Sequence, residues 1–178
     1  MSAPHYGPLT LRLLSGEPAE MAALQCVLEA APSYYQAVTG APPQGALAQS
    51  TFTALPPDKS YDDKFVWGLY AADAMIGCAD VIRGYPTRDK ALIGLLLLAE
   101  PWQQRGLGRA FAALVEQAIG AWKEIATLRV GVAVSTPGAL AFWRKLGYAE
   151  IGEVKRAGHD SNVDVMVLEK PISRRFTR

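Results

Sequence analysis

Seven consecutive residues, Gln103-Gln104-Arg105-Gly106-Leu107-Gly108-Arg109, carry the clearest chemistry in this chain. Two glycines leave the backbone open to close approach, and two arginines supply full positive charges. Where such a loop opens a helix, the first amides lack intrahelical acceptors and the helix dipole makes that end positive. These features together form a cradle for a pyrophosphate. Two phosphate-binding designs fail on the residues present. The nucleoside triphosphate loop needs Lys and then Ser or Thr after its last glycine, but Arg109 and Ala110 follow Gly108. The dinucleotide fingerprint needs a small residue three places after Gly108, and Phe111 stands there.

The elements that must position this loop lie on either side of it. Residues 91–98 are all apolar or glycine, the pattern of a strand buried on both faces, and Glu100, Pro101 and Trp102 end the run. After the loop, Leu107, Ala110, Phe111, Leu114, Val115, Ala118, Ile119 and Trp122 recur at three- and four-residue spacing, which predicts an amphipathic helix over 107–122. A strand, the hexad Q/R-x-x-G-x-G/A and a helix in that order resemble the acetyl-coenzyme A loop of the GNAT superfamily of N-acetyltransferases. Gln103, Gly106 and Gly108 stand in the motif positions. A second stretch supports the resemblance. Many members carry N-x-x-A-I/L-x-F/L-Y-x-x-x-G-F/Y after the fifth strand. Over 136–148, Ala139, Leu140, Phe142, Gly147 and Tyr148 fit, while Thr136 replaces the Asn and Trp143 replaces the Tyr.

The remaining pattern agrees in order. Leu9, Leu11 and Leu13 alternate as a first strand, Glu17-Pro18 starts a helix that ends near Ala30, and short helices are expected over 33–39, capped by Ser33, and 44–54. A polar loop spans 58–64. Strands follow over 65–71, 75–83, 91–98 and 128–134, then a helix from Pro137 to Gly147 and two strands, 148–155 and 163–168, around Gly158-His159-Asp160. The resemblance implies an α/β (α+β) fold over residues 1–178 as one domain. Its centre is a mixed, mostly antiparallel sheet of about seven strands, splayed between the fourth and fifth, with helices on both faces.

The resemblance also implies a site. The pantetheine arm of acetyl-coenzyme A meets the backbone at Leu96, Leu97 and Leu98. The pyrophosphate meets the amides of Gln104, Arg105, Gly106, Leu107, Gly108 and Arg109, with Gln103 and Thr136 beside them. Phe142 and Trp143 flank the thioester, and unpaired amides there would polarise its carbonyl. An amine then attacks directly in a ternary complex. The family often uses a Glu on the fourth strand as base, and 91–98 has none. Asp80 and Glu100 are the nearest carboxylates in sequence, each also readable as a solvated surface charge. Tyr34 and Tyr35 fall where relatives build the acceptor pocket, a place aromatic packing alone would also explain. Asp80 is a further candidate for that pocket. Trp143 cannot protonate a thiolate as a tyrosine would, which leaves water, another hydroxyl or Tyr148.

Eighteen Lys and Arg against seventeen Asp and Glu give a net charge of +1, which argues against a nucleic acid or an anionic membrane as partner. The apolar runs are too short to span a bilayer, and residues 1–5 do not read as a signal sequence. Cys26 and Cys78 read as buried reduced thiols, so a cytoplasmic setting is expected. With only His5 and His159 and no clustered cysteines, no metal-ligand spacing occurs. Arg174, Arg175 and Arg178 form a basic tail. A monomer or homodimer is expected. Two functions stay open at this level: an acetyltransferase acting on a small-molecule or protein amine, and a non-catalytic acyl-coenzyme A-binding module or sensor.

Overall fold

A computed structural model describes residues 7–157 and 162–173. The Gly158-His159-Asp160 turn, the tail arginines 174, 175 and 178 and residues 1–5 lie outside the described residues. Strand β1 is Leu9–Leu13. Three helices follow: α1 (Pro18–Glu29), α2 (Pro32–Thr39) and α3 (Leu47–Thr53). Proline at the first turn of α1 and α2 sets the helical φ and needs no amide partner there. The expected polar loop is a single 3₁₀ turn, Tyr61–Asp63. It leads into β2 (Lys64–Ala71), β3 (Ala74–Arg83) and β4 (Lys90–Leu98). Helix α4 (Leu107–Gly120), β5 (Thr127–Ala133), α5 (Pro137–Lys145), β6 (Ala149–Ala157) and β7 (Asn162–Pro171) complete the order.

The seven strands form one sheet in the order β1-β2-β3-β4-β5-β7-β6. β4 and β5 are its parallel pair among the described strands, and the other five neighbouring pairs are antiparallel. Each face has its own core. Ala91 and Ile93 of β4 and Leu128 and Val130 of β5 pack with Phe111, Val115 and Ile119 of α4 and with Leu140 and Trp143 of α5. On the opposite face, Val66 and Tyr70 of β2, Cys78 of β3 and Leu97 of β4 pack with Leu24, Val27 and Leu28 of α1 and Ala48 of α3.

β4 departs from the strand expected of its residues. Ala91 and Ile93 face α4, and so do Leu96 and Leu98, while Leu97 faces α1. Two-residue alternation cannot give that set, so the strand slips by one residue between them. The pairing with β3 shows where: Val81 opposes Ile93 and Asp80 opposes Leu95, leaving Gly94 as the extra residue of a β-bulge. Nor is the run buried throughout. Leu92, Gly94, Leu95 and Leu96 are half-buried, because clefts open beside them on both faces. Two further expectations change. Cys26 is exposed on α1, although Cys78 is buried and neither forms a disulfide. Ser33 does not cap α2: Ala31 holds the cap position, and Pro32 begins the helix.

Candidate active site

The site grows from the bulge. β4 and β5 pair only from Lys90–Thr127 to Ile93–Val130. From Gly94 onward the strands part, and the backbone groups of β4 that would face β5 have no strand partner. A cleft fills the opening. Gly94, Leu95 and Leu96 of β4 form one wall, and Val132 and Ala133 of β5 the other. Thr136 at the N-cap of α5, Ala139 and Trp143 within it, and Tyr34 and Val38 of α2 also line it.

The glycine loop stands beside this cleft. Gln104 has φ +57° and Gly106 φ +77°, so the backbone turns through the left-handed region twice before α4 starts. A Cβ on Gly106 would meet nothing within 4 Å, so that glycine serves backbone handedness. Gly108 serves a different need. A Cβ there would come within 3.3 Å of the Phe142 ring, so its bare Cα lets α4 and α5 approach. Gly106 is the N-cap of α4 and no side chain caps the helix, which leaves its first amides directed at the loop. Arg105 and Arg109 are exposed beside it, Arg105 with its guanidinium 5.7 Å from the Trp102 ring centre. Gln103 Nε2 donates to the Leu98 carbonyl at 2.8 Å and ties the loop to the end of β4. Uncapped amides, an open strand edge and a narrow apolar slot suit the phosphate and pantetheine portions of a coenzyme A thioester.

Trp143 is buried and meets Phe142 (5.3 Å between ring centres) and Tyr148 (4.8 Å) edge-on. The expected roles of Tyr148 and Glu100 meet a different geometry. The Tyr148 hydroxyl donates to Glu116 Oε1 at 2.9 Å on α4, and Lys170 holds the same carboxylate from β7. Burial pushes this phenol well above the usual tyrosine range, and the Glu116 charge adds to the effect. Tyr148 does not line the cleft; it ties α4 to the chain just before β6, while Lys170 ties the same carboxylate to β7. Glu100 Oε1 accepts the Ser33 amide at 2.7 Å and so caps α2 from another element; the Ser33 side chain, and then this amide, hold its carboxyl below the usual range. A carboxylate so engaged is a weak proton acceptor.

Asp80 lies on the other side of the sheet. A second cleft there has Asp80, Ile82 and Tyr85 on one side, Arg129 on the other, and Leu55 and Pro56 above. Gly94, Val130, Gly131 and Val165 line both clefts, so the two meet where β4 and β5 part. Asp80 Oδ2 receives Lys64 Nζ at 2.8 Å and stands 3.7 Å from where a Cβ of Gly94 would be. Tyr34 and Tyr35 both pack beside the α1 core, and Tyr34 also lines the first cleft; burial raises the pKa of Tyr35 and Tyr34 adds to the shift. Sequence reasoning misses the Gly94 bulge, the ties of α2 and the Glu116–Tyr148–Lys170 link. A lone glycine inside an apolar strand is a signal that could have found the first. The other two join residues far apart in sequence. Among the described residues, no group of three His, Cys, Asp or Glu could hold a metal ion, and no helix is long and apolar enough to cross a membrane.

Known proteins share this fold. The model of the acetyltransferase (GNAT) family matches residues 29–148. An acetyltransferase from Thermus thermophilus superposes with TM-score 0.68 at 26% identity, over 91% of this chain and 97% of its own. The ribosomal-protein-S18-alanine N-acetyltransferase of Escherichia coli gives 0.67 at 19% identity, over 96% and 97%. The spermidine N-acetyltransferase of Vibrio cholerae, solved with CoA and spermine, gives 0.65 at 16% identity, over 92% and 95%. No curated protein sequence matches.

Proposed function

The chain belongs to the GNAT acetyltransferase family, and from that premise we propose that it moves an acetyl group from acetyl-coenzyme A to a primary amine. The observation that carries this reading is the parting of β4 and β5 at Gly94 beside an uncapped helix start. In it, the amides from Gln104 to Arg109 receive the pyrophosphate, with Arg105 and Arg109 adding charge. The open edge at Leu96, Leu97 and Leu98 receives the pantetheine amides. Thr136, Phe142 and Trp143 border the thioester end. Bound there, acetyl-coenzyme A supplies an activated acyl group. The protein's contribution is to hold it still, exclude water and present the carbonyl to the gap.

The amine acceptor approaches through the second cleft, past Asp80, because that cleft reaches the same gap from the opposite face. Among the described residues, no cysteine, serine, lysine or carboxylate lines the first cleft. Cys78 lies in the other core, where burial pushes its thiol far up and Asp80 adds to the shift. That lining supports direct attack by the amine, with no acetylated enzyme, as the reading.

The test is calorimetry with acetyl-coenzyme A together with free-thiol release over a panel of primary amines. Wild type should bind and turn over. Gly108→Glu should lose binding by ~100-fold or more while still folding. Gly108→Ala should bind within about threefold of wild type, since a helix-favouring residue offsets a small shift of Phe142. Equal affinity in wild type and Gly108→Glu would put the pyrophosphate elsewhere, and binding without thiol release from any amine would make the chain a coenzyme A-binding module.

A further inference from the structure

Acetyl transfer leaves one proton to be supplied. When the C–S bond breaks, its electron pair goes to sulfur, and the resulting thiolate needs a proton. Among the described residues lining the first cleft, Tyr34 and Thr136 carry an O–H and Trp143 carries an N–H. Thr136 already gives its hydrogen to the Ala133 carbonyl at 2.6 Å. An aliphatic hydroxyl is in any case a far weaker acid than a phenol, and an indole N–H only donates hydrogen bonds. The Tyr148 phenol is committed to Glu116 on the α4 side. Tyr34 is the one phenol, and so the strongest O–H acid, among the described residues of that lining.

The fold also explains why a side chain so far away in sequence stands there. Helix α2 is tied at both ends of the parted strands. At the end of β4, Glu100 accepts the Ser33 amide (2.7 Å), and its own amide donates to the Ala30 carbonyl (2.8 Å). Beyond β5, Ser135 Oγ donates to the Ala37 carbonyl (3.0 Å). Tyr34 lies between those ties, its ring edge-on to Tyr35 at 5.2 Å. Val38, one turn on, lines the same cleft.

We propose that Tyr34 is the catalytic acid that protonates the departing coenzyme A sulfur, carried into the cleft by a helix fastened to both strand ends. The proposal rests on the acetyltransferase reading above. The nitrogen–carbon bond forms as the carbon–sulfur bond breaks. The phenol proton goes to sulfur, the phenolate recovers a proton from water, and the proton shed by the new amide nitrogen leaves to solvent.

Three measurements test it. A crystal structure with coenzyme A should place the Tyr34 oxygen within about 3.5 Å of the sulfur. Calorimetry should show Tyr34→Phe weakening coenzyme A by roughly threefold to tenfold and desulfo-coenzyme A not at all, the signature of one hydrogen bond to sulfur. In the thiol-release assay Tyr34→Phe should lose ~10²-fold in kcat, and Trp143→Tyr added to it should recover at least about tenfold by supplying a phenol from α5. Equal effects on coenzyme A and its desulfo analogue, or another group on the sulfur, would overturn the role of Tyr34 alone. A wild-type protein that binds neither ligand, or that turns over no amine, would overturn the acetyltransferase reading and Tyr34 with it.

Discussion

The two ends of the β4–β5 pair are built from the same strands and behave as opposites. At the closed end, Ala91, Ile93, Leu128 and Val130 are all at most 3% exposed, and the backbones pair in register. There Glu169 reaches from β7 to accept Lys90 Nζ at 2.6 Å and Arg129 Nη1 at 2.8 Å, so one carboxylate clamps both strands. At the open end the ladder stops at a glycine bulge, a cleft fills the gap, and the strand tips are joined through α2. Each large aliphatic side chain buried at the closed end contributes about 1.5–3 kcal/mol. The open end gives up part of that burial and its ladder hydrogen bonds. One parallel pair can thus divide a packed, clamped end from an open cleft along its length, provided another element ties the parted tips.

Three substitutions probe that contrast. The largest effect should come from filling the open end. Ala139→Trp puts an indole into the cleft from a half-buried position on α5. Calorimetry should show acetyl-coenzyme A affinity falling by roughly 100-fold, ~2.7 kcal/mol, with the unliganded melting temperature little changed. Retained affinity would mean that the open end is not the binding slot.

The next is the clamp at the closed end. Burial opposes ionisation of Glu169, but hydrogen bonds from Lys90 and Arg129 outweigh it and hold the carboxyl below its ordinary range. A depressed folded pKa contributes stability above the unfolded value and loses it as pH falls through the folded one. Glu169→Gln should therefore cost about 1–3 kcal/mol near neutrality, a drop of ~2–4 °C in Tm per kcal/mol. The gap from wild type should close on acidification below about pH 4. A gap that stays constant down to strong acid would show that the carboxylate charge is not what clamps the strands.

The smallest effect should come from Glu100→Gln, which weakens one tie of α2. Glu100 is also held below its usual range by the Ser33 side chain and amide, so the tie strengthens above that pKa and loosens in acid. Hydrogen exchange at Ser33 should speed up roughly threefold to tenfold while the global melting temperature stays put. Unchanged exchange there would assign the tie to Ser135 alone.

Part of this architecture is legible in the order of residues. The strand–loop–helix unit around Gly106 is, because two periodicities and a helix start are local properties of consecutive residues. The succession of seven strands follows from the same patterns and from the family resemblance. The helix from Pro137 and its Phe142-Trp143 pair are legible for the same reason. The bulge is half legible: Gly94 stands in the run, but its slip shows only when β3 supplies a register against which to count.

What consecutive residues settle is therefore local: where backbone amides go uncapped at Gly106, which face of α4 is apolar, and that residues 91–98 offer no base. The partners were settled only by tertiary contact. It gave Tyr148 to Glu116, Glu100 to Ser33, Asp80 to Lys64, and the space above Gly108 to Phe142. Those pairs are 32, 67, 16 and 34 residues apart along the chain. No spacing rule reaches across such separations. A side chain's proton or charge is committed by whatever group the fold brings within about 3 Å of it, and that distance exists only once the sheet is assembled.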